Sequence, residues 1–115
     1  MTSDDYCYLT TTGRRSGTPH RIEIWYARAG ETLYLMAGGR RSSDWVQNLS
    51  VEPAVTVEVD GAPRPGTARV LDDDGPETDR ARRLVFEKYS ARFDEDLTSW
   101  RDAALPVAID LSPTG

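Results

Sequence analysis

Short runs of alternating apolar and polar residues dominate the chain, and they predict strands. The first, Tyr6 to Thr12, is aromatic and β-branched. The second, Arg21 to Arg28, sets Ile22, Ile24 and Tyr26 against Glu23, Trp25 and Ala27. A tight turn at Ala29-Gly30 leads to a third, Thr32 to Ala37, with Leu33 and Leu35 on one face and Tyr34 and Met36 on the other. Val55, Val57 and Val59 point one way along a fourth, Ala54 to Val59. Asp60-Gly61 then signals a turn, and Pro63 and Pro65 make the returning strand start late, near Thr67, or run at an edge. A sixth strand, Ala104 to Leu111, alternates Leu105, Val107, Ile109 and Leu111 with Pro106, Ala108 and Asp110.

Helical spacing breaks this pattern at two main places. Ser42 or Ser43 caps a short helix with Asp44 in its first turn, an apolar stripe at Trp45, Val46 and Leu49, and Pro53 beyond its end. A longer helix starts at Pro76 and carries Ala81, Leu84, Val85 and Tyr89 on its inner face. A further turn of helix is expected around Leu97 to Asp102. The expected fold class is therefore mainly β: about six antiparallel strands with two to three helices. Closing the sheet into a small barrel removes exposed edges. The length of 115 residues, with no linker and no repeat, gives a single domain over 1–115.

Charge is unevenly placed on a chain of net charge −5. Residues 6–45 hold six arginines against three acids, and residues 46–115 hold eight Lys or Arg against fourteen acids. A basic first third on an acidic body points to a local anion site and not to a nucleic-acid surface, which needs a broader positive face. One cysteine, Cys7, forms no internal disulfide and is expected to be a core residue. One His and one Cys argue against a structural zinc site, and no metal is expected. The acidic turn Asp72-Asp73-Asp74-Gly75 lacks calcium-loop spacing and is expected to be solvated. No transmembrane run and no secretory leader are visible, so the expected location is cytoplasmic. Residues 1–5 and 112–115 read as polar ends.

Candidate chemistry concentrates in two glycine-and-arginine loops. The first, between strands one and two, holds Gly13, Arg14, Arg15, Ser16, Gly17, Thr18 and His20. Glycines let main-chain N–H groups approach a ligand, and the guanidiniums and hydroxyls donate to phosphate or carboxylate. The competing reading is a polar hairpin loop with solvated arginines. The second loop, Gly38-Gly39-Arg40-Arg41, precedes a helix N-terminus and is expected to add to the same anion-binding capacity; alternatively it is only a flexible turn. The tryptophans Trp25, Trp45 and Trp100 read as core residues or as cofactor contacts.

The strings LTTTGRRSGTPHRIEIWYA and LYLMAGGRRSSDWVQNL, with the VTVEV strand and the closing LPVAIDL strand, resemble the deazaflavin-dependent nitroreductases of actinobacteria. The resemblance runs from about Tyr6 to Leu111. It implies a split β-barrel related to the flavin-binding barrels of the pyridoxamine-phosphate oxidase type. It implies binding of coenzyme F-420 (8-hydroxy-5-deazaflavin), whose phosphate and polyglutamate tail suit the basic first third. The resemblance places the phosphate and tail at Arg14, Arg15, Ser16 and Gly17. It lays the cofactor along Ala37, Gly38, Gly39, Arg40 and Arg41, with Trp45 and Asn48 from the WxxNL helix and Trp25 near the ring. The implied reaction is hydride transfer from the reduced deazaflavin to an electron-poor small molecule: a quinone, nitroaromatic or enone. Tyr26 and Tyr89 are the candidate catalytic proton donors, with His20 and water as alternatives. The rivals are an FMN-dependent oxidoreductase of the same fold and a non-catalytic deazaflavin carrier.

Three departures from the resembled family stand out. The chain starts almost at the first strand, without the segment that helps cover the site; the short start and acidic body permit a homodimer in which a second subunit supplies cover. Of the late tyrosine cluster only Tyr89 matches, with Arg92 and Phe93 where later tyrosines stand. A lysine after the third strand is absent, and Arg40 or Arg41 is expected to substitute for it.

Overall fold

Trp25 divides what alternation alone predicts as one strand. In the computed structural model, which describes residues 6–59, 61–72, 74–93 and 96–112, Pro19–Ile24 (β2) pairs antiparallel with Cys7–Thr12 (β1). Tyr26–Ala29 (β3) pairs instead with Thr32–Ala37 (β4). Ala54–Val59 (β5), Ala62–Val70 (β6) and Leu105–Leu111 (β7) complete a seven-stranded antiparallel sheet in the order β2-β1-β5-β6-β7-β4-β3. The strands at the two ends of that order are consecutive in sequence with only Trp25 between them. The sheet must therefore curl until its ends meet at this residue, which makes a split barrel. The strand count is seven because barrel closure, a long-range constraint, cuts a locally uniform β run.

Both faces of the curled sheet are covered. The inner core joins Cys7, Leu9, Leu33, Leu35, Val57, Val107 and Ile109. Asp44–Val51 (α1) plugs it with Val46 and Leu49, preceded by a 3-10 turn at Arg40–Ser42. Pro76–Ser90 (α2) lies on the outer face, and its residues four apart, Ala81, Val85 and Tyr89, are fully buried against Tyr34, Met36 and Ala108. Val85 and Met36 each contribute about 1.5–3 kcal/mol by leaving water, the alanines less. The expected split of Leu33 and Leu35 from Tyr34 and Met36 holds, with one pair in each core. Thr98–Ala103 (α3) follows, one residue later than expected at each end.

The returning strand differs from expectation. β6 begins at Ala62 and carries both prolines, although it lies between β5 and β7. The reason is register. Pro63 and Pro65 face Glu58 and Thr56 of β5, while pairing with β7 begins only at Gly66. The prolines thus occupy a stretch that is locally an edge, where the missing N–H breaks no ladder. Asp60 of the expected turn, Asp73 of the acidic turn, and the outermost residues 1–5 and 113–115 lie outside the described residues. Among those described, no helix is long and apolar enough to cross a membrane.

Candidate functional site

The first glycine-and-arginine loop is built by its own main chain. Gly13 N–H donates to the Thr18 carbonyl and Gly17 N–H to the Gly13 carbonyl, both at 2.8 Å. Gly17 has a φ of 72°, which disfavours any side chain. A Cβ on Gly13 would fall 2.6 Å from Ser16 Oγ and 2.7 Å from His20 Nε2, so a side chain there would push these two exposed side chains aside. The loop walls a cleft of about 580 Å³ together with Arg21, Ile22, Trp45 and Asn48.

The two arginines of this loop have different fates. Arg14 turns inward. Its main-chain N–H and its Nη1 both donate to Asn48 Oδ1, at 3.2 and 2.8 Å, and Nη2 reaches Asp44 at 3.4 Å. Asn48, itself buried, donates to the buried hydroxyl of Thr11 at 3.2 Å. Arg15 is exposed and has no hydrogen-bond or ion-pair partner among the described residues. Ser16 Oγ and Thr18 Oγ1 are 2.7 Å apart, and His20 stands beside Thr18. Arg21 is paired with Glu58 at 2.8 Å and lies over the Tyr8 ring.

A second cleft, of about 620 Å³, opens further along the same strand. Its walls are largely aromatic and apolar: Trp25, Trp100, Met36, Leu97 and Ile24, with the carboxylates of Glu23 and Asp96. Trp25 lies parallel to Tyr89 at 4.1 Å and to Phe93 at 5.2 Å, and meets Trp100 edge-on at 5.6 Å. β2 thus serves both clefts: Pro19 to Ile22 line the arginine cleft, and Glu23 and Ile24 the aromatic one. Six extended residues span about 20 Å.

The structure brings Arg14, Arg15, Ser16, Trp45 and Asn48 together around the arginine cleft and sets Trp25 in the aromatic one. Gly17 shapes the loop between them. Arg40 and Arg41 do not join Arg14 and Arg15. Arg40, with a left-handed φ of 51°, donates to the Ala103 carbonyl at the end of α3, and Arg41 pairs with Asp72 ahead of α2. Ala37 is buried at the end of β4. Gly38 and Gly39 are exposed, with Trp100 Nε1 3.9 Å from where a Gly38 side chain would start. Tyr26 and Tyr89 are buried, 5% and 0% exposed, and line neither cleft. Burial pushes the Tyr89 phenol well above its ordinary value.

Residues of the aromatic cleft that the sequence did not mark as site residues are Tyr6, Glu23, Ile24, Met36, Asp96, Leu97 and Ser99. They come from the residue ahead of β1, from β2 and β4, and from α3 and the two residues before it, and no motif joins them. The only signal was Trp100, an aromatic residue in a short helix that lacks an apolar stripe of its own.

Comparison with known proteins gives the family and the fold. The family model described as F420H(2)-dependent quinone reductase matches residues 1–112. An F420H(2)-dependent quinone reductase of Mycobacterium tuberculosis is 33% identical over 105 residues, covering 88% of this chain and 69% of the relative. A solved F420-H2 dependent reductase superposes with a TM-score of 0.73 at 23% identity, covering 94% of each chain. A second solved structure, described as a domain-swapped dimer, superposes with a TM-score of 0.73 at 23% identity over 94% of this chain and 80% of that one. At these identities the structural likeness speaks for the fold.

Proposed function

The chain belongs to the F420H(2)-dependent quinone reductase family, and from that premise we propose that its two clefts divide one elongated cofactor between them, tail among the arginines and ring among the tryptophans. The protein is a deazaflavin-dependent oxidoreductase with coenzyme F-420 as its cofactor. The acceptor in this reading is a quinone, with nitroaromatics and enones as further electron-poor substrates.

One observation carries the placement: a single strand, β2, walls a cationic cleft and then an aromatic one. The residues fit the group. Arg15 offers a guanidinium with no partner among the described residues, Arg14 is held by Asn48 at the loop's base, and His20, Ser16 and Thr18 add donors for phosphate and carboxylate oxygens. Trp25, backed by the parallel rings of Tyr89 and Phe93, offers the cleft a flat apolar face suited to a planar heterocycle.

When bound, the reduced cofactor supplies the hydride. The chain's own residues bind, orient and exclude water. Arg14 and Arg15 anchor negative charge at one end, which fixes how far along β2 the ring end reaches. Trp25, Trp100, Met36 and Leu97 hold the reacting region in an apolar setting. With Tyr26 and Tyr89 buried, the proton that completes a quinol comes from water entering the open cleft. A homodimer belongs to this reading as well, in which a second copy helps to cover the open clefts.

The test is anaerobic mixing of protein, reduced deazaflavin and a soluble quinone, followed by the absorbance of the oxidised cofactor. Oxidation that needs the protein and saturates in quinone is expected. Tight cofactor binding with no acceleration for any quinone, nitroaromatic or enone would leave a carrier in place of a reductase.

A further inference from the structure

The hydroxyl of Tyr89 fills a place where the sheet has no strand. Tyr26, first residue of β3, pairs with Leu35 of β4 on one side. Its other side faces the seam where β2 and β3 part, at the end of the strand order. Tyr26 N–H donates to Tyr89 Oη at 2.9 Å, and Tyr89 Oη donates to the carbonyl of the same Tyr26 at 3.1 Å. N–H and C=O of one residue in an antiparallel strand point to the same side, so one phenol satisfies both. Lys88 Nζ adds a donor to that carbonyl at 2.7 Å and sits 3.7 Å over the Tyr26 ring.

The same phenol ring also sets an indole plane. It is parallel to Trp25 within 4°. Phe93, one helical turn on, is parallel to Trp25 within 4° as well, and the Tyr89 and Phe93 centroids are 6.3 Å apart. Parallel rings on opposite faces of one indole would stand about 7 Å apart or more, given carbon contacts of about 3.5 Å. Tyr89 and Phe93 therefore cover one face of Trp25, and the other is left for the aromatic cleft that Trp25 lines.

We propose that Tyr89 is a positioning residue: its hydroxyl pins the main chain immediately after Trp25 while its ring fixes the indole plane, so the face offered to a planar ligand is set before the ligand arrives. The ligand half of this statement rests on the ring placement given under Proposed function; the clamp does not. Tyr89 donates no proton in turnover, because its hydroxyl hydrogen is committed to the Tyr26 carbonyl and the group is fully buried.

Tyr89→Phe keeps the stacked ring and removes only the hydroxyl. Tyr34→Phe is the matched control, since it deletes another phenol, bonded to Glu77 at 3.0 Å where α2 begins, and leaves the seam untouched. Protein carrying 5-fluorotryptophan gives one fluorine resonance for each of Trp25, Trp45 and Trp100, and Trp25→Phe assigns the first. In Tyr89→Phe the Trp25 line should shift or broaden, the Trp45 line should stay and so report an intact fold, and the Tyr34→Phe spectrum should match wild type at Trp25. Titration with oxidised deazaflavin should show affinity falling about threefold or more in Tyr89→Phe, with the shape of the pH–rate profile unchanged. An unmoved Trp25 line overturns the clamp. A moved line with unchanged affinity overturns the positioning role, and loss of a limb of the pH profile overturns it in favour of a proton donor. Should Tyr89→Phe fail to fold, Phe93→Ala tests the same plane and should move the Trp25 line; an unmoved line there overturns the stacked wall. If wild-type protein binds no deazaflavin, the ring placement falls while the fluorine spectra still decide the clamp.

Discussion

Asn48 Oδ1 accepts both the main-chain N–H and the guanidinium of Arg14, across 34 residues of sequence. One carboxamide on α1 thereby ties down the base of the arginine loop, and its nitrogen is anchored on Thr11 of β1. Asn48→Ala strands the buried Thr11 hydroxyl and frees the loop. A loss of about 1–3 kcal/mol in stability is expected in urea unfolding. The affinity for oxidised deazaflavin should fall with it, although Asn48 carries no charge, because the loop is no longer held in place.

Arg14 and Arg15 should differ in kind. Arg15 is exposed without a partner among the described residues, so Arg15→Ala removes a free charge and little else. Its effect on deazaflavin affinity should shrink as salt rises. Arg14→Ala also breaks the Asn48 and Asp44 contacts and should lower stability as well. The double variant should weaken binding at least tenfold, or about 1.4 kcal/mol. Calorimetric titration at two salt concentrations separates the two behaviours.

The two glycine-and-arginine loops look alike in sequence and end differently. Arg14 and Arg15 line a cleft because glycines at 13 and 17 fold the loop on itself. Arg40 and Arg41 are taken by Ala103 and Asp72, partners 63 and 31 residues downstream that no local pattern announces. The same contrast runs through the fold. The alternation at 33–36 and the four-residue spacing at 81, 85 and 89 are set by neighbours in sequence, and each was legible. The break at Trp25 was not, because residues 21–28 have uniform β character and only closure of the sheet decides where they part. The aromatic cleft is assembled from the residue ahead of β1, from β2, β4 and the α3 region, so in the sequence only Trp25 and Trp100 stand out as candidates for it.

Glu23 and Asp96 give the aromatic cleft a negative rim, and among its lining residues there is no cation. An acceptor with its own negative charge is repelled. At about 7 Å in water each carboxylate costs such a molecule about 0.6 kcal/mol. A sulfonated quinone should therefore show a KM several-fold above that of its neutral parent at low salt. Glu23→Gln should narrow that gap, as should added salt. Equal KM values for the two quinones in wild type would mean the acceptor stays clear of this rim.

Gly66 marks where β6 starts to pair with β7, and it is a packing position. A Cβ there would lie 2.8 Å from Ile109 Cγ2 and 3.1 Å from the main-chain oxygen of Asp110. The side chain can shift a little, but the strand cannot. Gly66→Ala should destabilise by about 1–3 kcal/mol through overpacking, seen as a lower urea midpoint at an unchanged slope. Gly61, with open space around it but a φ of 79°, should respond to alanine through backbone strain instead.

Arg69 of β6 joins Glu77 of α2 to Asp110 of β7, with contacts of 2.8 Å to Glu77 and 2.5 Å to Asp110. The guanidinium holds both carboxyls below their ordinary values, 4.5 for Glu77 and 3.8 for Asp110. A carboxyl whose native value is depressed stabilises the fold fully above its ordinary value, and that contribution is lost as pH falls through the lower native one. All three side chains are about 40% exposed, so water screens the pairs and the sum is about 1 kcal/mol or less. Wild type should exceed Arg69→Gln by a constant margin above pH 4.5, and the margin should close on further acidification below pH 3.8. Urea unfolding at a series of pH values reads this directly. A margin that stayed flat into strong acid would show that Arg69 stabilises by packing its aliphatic stem over the sheet and not by its charge.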